Sequence, residues 1–485
     1  MREISELEPK RVFWYFDEIC HIPHGTGHTE AMSDYVEAFA GKHDLFCYRD
    51  EYGNVLIRKA GSEGREDERF LILQVHLDAF CDGKDQRLAC PENGSSPISL
   101  ATIDDYIYAK GGPLGADGGI GIAYILAVLE DKTLSHPPLE AVFTVDAEDG
   151  MRGVLKMDLS VLSGRRMINF GHFSEGEILT GSAGGRMIVC EVPVRYVSEY
   201  GVLYDIVICG LKGGHAGMEI DRYRGNAALI MGRLLHYLDL YMDYELFYLK
   251  GGMHYNYIPR EAKASLLIRQ EDINRLEDLI DRFNEALLKE YRDVEDNLTI
   301  YCENKGEGLV NVLTEKTKQR VIFLLMMVPD GIQRMSMMQE NIVQTSSNVG
   351  IMSLNQDTFV LHIGIRSLLA SEKHALSDKL QFLTENIGGS FHILMNYHAW
   401  EYEEESPLRE ELIEIYREMY RVDPELTLIH SGLECGIISD KIRDMDIVSF
   451  GPTIESVNTS KERLCISSVE RVWQFLIRAL ARIKG

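Results

Sequence analysis

At 485 residues, 45% of them apolar, the chain has enough hydrophobic side chains for two large cores and too many for one. A formal charge of −26 opposes binding to nucleic acid or anionic membrane, both of which require clustered Lys and Arg, and no run approaches the roughly 18 apolar residues of a membrane span. Nine cysteines scattered without a CxxC pair, and a charged beginning that lacks an apolar signal-like stretch, predict a cytoplasmic protein without a disulfide framework.

In chain order, residues 10–20 and 29–42 place apolar side chains at helical spacing. The runs 54–58, 70–75, 139–145 and 166–170 read as short buried strands. This alternation predicts an α/β fold with a central sheet flanked by helices. From about 187 the elements lengthen: a strand at 204–210, helices near 224–242 and 273–292, a helix at 314–327, a strand at 358–367 and a helix at 370–388, an α+β pattern. A helix near 407–420, strands near 426–429 and 446–449 and a closing helix near 466–483 return to the style of the first region. The expected organisation is a catalytic domain of residues 1–185 and 398–485, interrupted by an α+β lid domain of residues 186–397.

Three polar groups follow strand patterns in the first region: His76 with Asp78, Asp117 in GPLGADGGIG, and Asp146 to Asp149 after LEAVFTV. Ligands in α/β sheets bind beyond the carboxyl ends of strands, and imidazole with carboxylate is ordinary zinc chemistry. The glycines around Asp117 also suit a phosphate-binding turn, but the spacing is neither GxGxxG nor a P-loop, and the acid in their midst would repel phosphate.

The segments QVHLD, LGADGGIGIA, GLKGGHAGMEI, NYIPREA, IHSGLECG and SFGPTI, in this order over nearly the whole chain, resemble the aminoacyl-histidine dipeptidases, the peptidase D group of the dinuclear-zinc aminoacylase and carboxypeptidase clan. The resemblance implies a zinc-peptidase-like catalytic domain, an inserted lid, metal-dependent hydrolysis of dipeptides and a homodimer. It makes His76 and Glu148 ligands of separate zinc ions and Asp117 their bridge, with Asp78 orienting His76. In the lid it assigns His215, Asn256 and Arg366 to the substrate carboxylate and scissile carbonyl, and it brings His430, Glu434 and Cys435 near the cleft, with Glu434 counted among the substrate-binding residues.

Three family positions are altered: Ala147 replaces the general base, Gly171 an aspartate ligand, and Asn458 a histidine ligand. Asp146, Asp149 and His172, one or two residues away, are the candidates to compensate. The expectation is therefore an impaired metallo-dipeptidase with zinc or another divalent ion, one ion or none. Two alternatives stand beside it: a non-catalytic binder of short peptides or amino-acid derivatives, and a single-metal amidohydrolase with another substrate.

Overall fold

The apolar run Leu71–His76 lies inside an eight-stranded sheet in the computed structural model, which describes residues 3–79, 99–110, 114–148 and 150–485. Its neighbours Leu139–Thr144 and Arg166–Asn169 run parallel to it, and Asp446–Ser449 continues the parallel set beyond Arg166–Asn169. Phe46–Arg49, Val55–Lys59 and Glu177–Ser182 add antiparallel neighbours, and Glu425–Ile429 completes the sheet. A mixed sheet results, with the parallel strands all ending on one edge, where His76, Thr144, Asn169 and Ser449 stand.

The helix Ala116–Glu130 is buried along nearly its whole length and packs on this sheet. A helix that is apolar all round can only be an interior element. It shares one core with Lys10–Cys20, Pro407–Tyr420 and Ile466–Arg482, which bury one face each. A four-stranded sheet, Ile454–Glu455, Arg463–Cys465, Tyr106–Lys110 and Ser99–Ile103, lies in the same unit.

That unit comprises Met1–Ser182, Trp400–Leu428 and Leu433–Gly485; the second comprises Ala183–Ala399 and Ile429–Gly432. Segment 429–432 therefore returns to the second unit, so His430 belongs with the inserted region and Glu434 with the first. The second unit is a nine-stranded antiparallel sheet in the order Thr299–Leu313, Tyr196–Cys209, Ala262–Ile268, Glu245–Gly251, Val343–Leu354, Thr358–Ser367, Gly184–Pro193 and Ser390–Tyr397, with Gly331–Met335 paired to Val343–Leu354. The helices Ala227–Asp239, Ile273–Tyr291, Glu315–Met327 and Ala370–Asn386 contribute to its core. Among the described residues no helix is long and apolar enough to cross a membrane, and the described cysteines are free.

Candidate metal centre and anion site

At the parallel strand ends of the first unit, His76, Asp117 and Glu148 bring one ligand atom each to within 4.8 Å of one another. His76 arrives as the last residue of its strand. Asp117 is delivered by a break at the start of the buried helix, where Asp117 has ψ 123° and Gly118 φ +74°. That glycine is required, because a Cβ there would lie 2.8 Å from the carbonyl oxygen of His76 and 3.0 Å from its ring.

Asp78 is completely buried and accepts the backbone N–H groups of Ala147 at 2.9 Å and Glu148 at 3.1 Å, together with the Thr26 hydroxyl at 3.0 Å. It thereby fixes the turn that presents Glu148. His76 Nδ1 is 2.8 Å from the Asp78 carbonyl oxygen, while Nε2 faces Asp117 Oδ1 at 3.1 Å. With Nδ1–H donated to that carbonyl, Nε2 and Oδ1 are two acceptors, and only a proton or a cation between them makes the contact favourable. Burial disfavours the imidazolium, but Asp117 and Asp78 outweigh it and hold His76 well above the usual range. Burial, then the nearby Asp117 charge, pushes Glu148 above the ordinary carboxylate range. Clustered carboxylates with a histidine thus call for positive charge, and this donor set fits one divalent ion.

A second ion does not fit in the same way. Gly171 offers no ligand, and a Cβ on it would stand 3.0 Å from Asn169 Oδ1 and 3.5 Å from Leu433. Asn458, at φ +61°, turns its amide nitrogen toward Glu148 Oε2 at 3.5 Å. No second group of three such ligands occurs among the described residues. Of the candidate substitutes, Asp146 accepts the Gly27 N–H at 2.9 Å and His172 is 2.9 Å from Glu177; Asp149 lies outside the described residues. The Ala147 methyl has no chemistry to offer in place of a base.

Of two further carboxyls, Glu462 carries no sequence signal, whereas Glu434 is the one that the sequence counts among the substrate-binding residues. Glu462 is buried and accepts the N–H groups of Gly115, Ala116 and Asp117 at 3.3, 2.9 and 3.3 Å. Glu434 is fully enclosed beneath the strand ends, where Gln74 donates to its Oε2 at 2.6 Å and Thr144 at 2.7 Å. Asn169 bonds Gln74 at 2.5 Å and accepts from Ser449 at 2.6 Å, so one polar network joins four strands. Glu434 Oε1 has no protein partner, and burial pushes this carboxyl up to about 7. Cys435 next to it is buried, which drives its thiol far above the range of a nucleophile.

In the second unit the chain collects His215, Asn256 and Arg366. Arg366 is 8% exposed and donates to Tyr397 Oη at 3.0 Å and Asn256 Oδ1 at 3.1 Å; no described carboxylate forms an ion pair with it. A buried guanidinium with no carboxylate paired to it among the described residues attracts an anion. Burial and then the Arg366 charge push both His215 and His430 down to about 3, so both rings are neutral. His430 Nε2 bonds the Ser346 hydroxyl at 2.7 Å. Asn348, not singled out by the sequence, donates to the carbonyls of Tyr255 and Tyr257 at 2.9 and 3.0 Å and so braces Asn256 from both sides.

Residues 207–295 match the peptidase dimerisation domain family. The chain is 32% identical to the cytosol non-specific dipeptidase of Escherichia coli (strain K12), over 100% of this chain and 99% of that protein. It also matches the crystal structure of the aminoacylhistidine dipeptidase from Vibrio alginolyticus with 32% identity and a TM-score of 0.83, over 100% and 99% of the two chains. A tripeptidase from Staphylococcus aureus has the same fold at 14% identity and a TM-score of 0.58, over 98% of each chain.

Proposed function

The chain belongs to the aminoacyl-histidine dipeptidase group of the M20 peptidase family, and from that premise we propose that it binds short peptides and hydrolyses dipeptides with one divalent ion, more slowly than a relative with a complete site. The observation that carries this reading is the convergence of His76, Asp117 and Glu148 within 4.8 Å. These three would hold the ion, zinc being the borderline cation such N and O donors suit. Bound there, it would polarise a scissile carbonyl.

The protein's own groups supply the rest. In the first unit Asp78 orients His76 and the Glu148 turn; within the second unit, Arg366 with Asn256 would take a peptide carboxylate. Neutral His215, in that second unit, serves as a hydrogen-bond partner rather than as a cation. Without a carboxylate at Ala147 the rate should fall by on the order of 10²–10⁴-fold. We further propose a cytoplasmic homodimer, on the strength of the dimerisation-domain match and the cytosolic relative.

A second reading, a peptide binder without turnover, draws support from the same alanine in the first unit and from the arginine kept in the second. One sample separates the two. Protein purified with zinc present is analysed for metal per chain and then assayed with Xaa-His dipeptides. One ion with slow, chelator-sensitive turnover is expected; one ion with dipeptide binding and no turnover selects the second reading. Two ions with fast turnover would sink the account of a reduced site.

A further inference from the structure

The turn that carries Asn256 is lined with rings. His254 and Tyr255 stack at 4.8 Å and 29°, and His254 meets Tyr257 edge-on at 5.8 Å. Tyr257 meets His215 edge-on, also at 5.8 Å, across the paired strands Gly214–His215 and Tyr257–Ile258. The rings therefore form a chain that starts beside Asn256 and ends on His215, both of which adjoin Arg366.

Two exposed thioethers flank these residues in the sequence. Met253 precedes His254 and is 94% exposed; Met218 follows Gly217 and is 60% exposed. Gly217 itself lies against the guanidinium, since a Cβ there would be 3.1 Å from Arg366 Cζ and 3.0 Å from the His215 ring. Tyr257 keeps 41% of its surface in solvent. So a buried positive charge with no carboxylate partner among the described residues and an exposed rim of aromatic and methionine side chains occupy one small area of the second unit. Carboxylates pair with the first, and planar or apolar side chains with the second.

We propose that this rim is a specificity surface that selects carboxylates bearing an aromatic or large apolar arm, so that peptides ending in such a residue are preferred, with Tyr257, His254, Met218 and Met253 setting the preference. The proposal rests on the reading of Arg366 as the carboxylate site. The adjoining cation selects an anionic end. Rings at edge-to-face distance and methionine stems then offer contact to whatever projects from that end.

The test uses the full chain and three probes that contain no peptide bond: propanoate, 3-phenylpropanoate and 3-phenylpropanamide, titrated calorimetrically. The expected result is binding of 3-phenylpropanoate about tenfold or more tighter than propanoate, with the amide much weaker than the acid. Tyr257→Ala should remove most of that advantage. The surface pair Met218→Ser and Met253→Ser should reduce it too, and keeps the test available should Tyr257→Ala fold poorly. Equal affinities for the two acids would overturn the rim while leaving the Arg366 reading intact. No binding of either acid would overturn the Arg366 reading and the rim with it, and equal binding of acid and amide would overturn the link between rim and charge.

Discussion

Glu434 shows how a single buried carboxyl makes stability depend on pH. Its folded value, about 7, lies above the ordinary 4.5. The folded state therefore holds this proton more tightly than the unfolded chain does. Its contribution is fully present below about pH 4.5 and is lost as pH rises through 7. Glu434→Gln should match the parent in urea denaturation at pH 4.5 and exceed it at pH 8, by about 1–3 kcal/mol; a smaller gain at pH 8 than at pH 4.5 would refute the assignment. Glu462 plays a different part, since three amides at the start of the buried helix depend on its oxygens. Glu462→Ala should lose about 1–3 kcal/mol of stability. Because one of those amides is Asp117's own, zinc affinity should fall as well, a change that isothermal titration of folded protein reads separately from unfolding.

Periodicity revealed elements wherever the chemistry of a segment matched its burial. Lys10–Cys20, Leu71–His76 and Ile466–Arg482 put apolar residues where helix or strand geometry turns them inward. The strand Val343–Leu354 escaped because Gln344, Thr345, Ser346, Ser347 and Asn348 are polar yet buried. Partners such as His430 and the Tyr255 carbonyl satisfy them, and such partners exist only after folding. Thr299–Leu313 escaped for the opposite reason, its middle being charged and exposed on both faces. At the site, strand-end positions singled out His76, Asp117 and Glu148, while Gln74, Asn169 and Ser449 looked like unremarkable strand residues and gave no hint of a shared network. The break at Gly118 is the element-level feature most open to test. Gly118→Ala combines a left-handed backbone with a contact at 2.8 Å to His76. It should cost about 1–3 kcal/mol and weaken zinc binding severalfold, read by thermal denaturation and titration.

Over the whole molecule, −26 charges repel one another across the folded surface. Salt shortens the range of that repulsion to about 8 Å at physiological strength. The melting temperature should therefore rise by a few degrees between low salt and 0.2 M sodium chloride; a fall would mean that ion pairs such as Arg471 with Glu175 outweigh the net charge. Asp117 sits at the head of a helix that is walled in by the first core from Ile120 to Leu129. Amide hydrogens deep in such an element trade with solvent only when the entire unit opens. Cation binding should then slow exchange in the turn around Ala147 and leave the middle of that helix on the clock of global unfolding. The Asp117 carboxylate is thus anchored to the slowest-relaxing part of its unit, so the pocket should hold the same shape before an ion arrives as after it leaves.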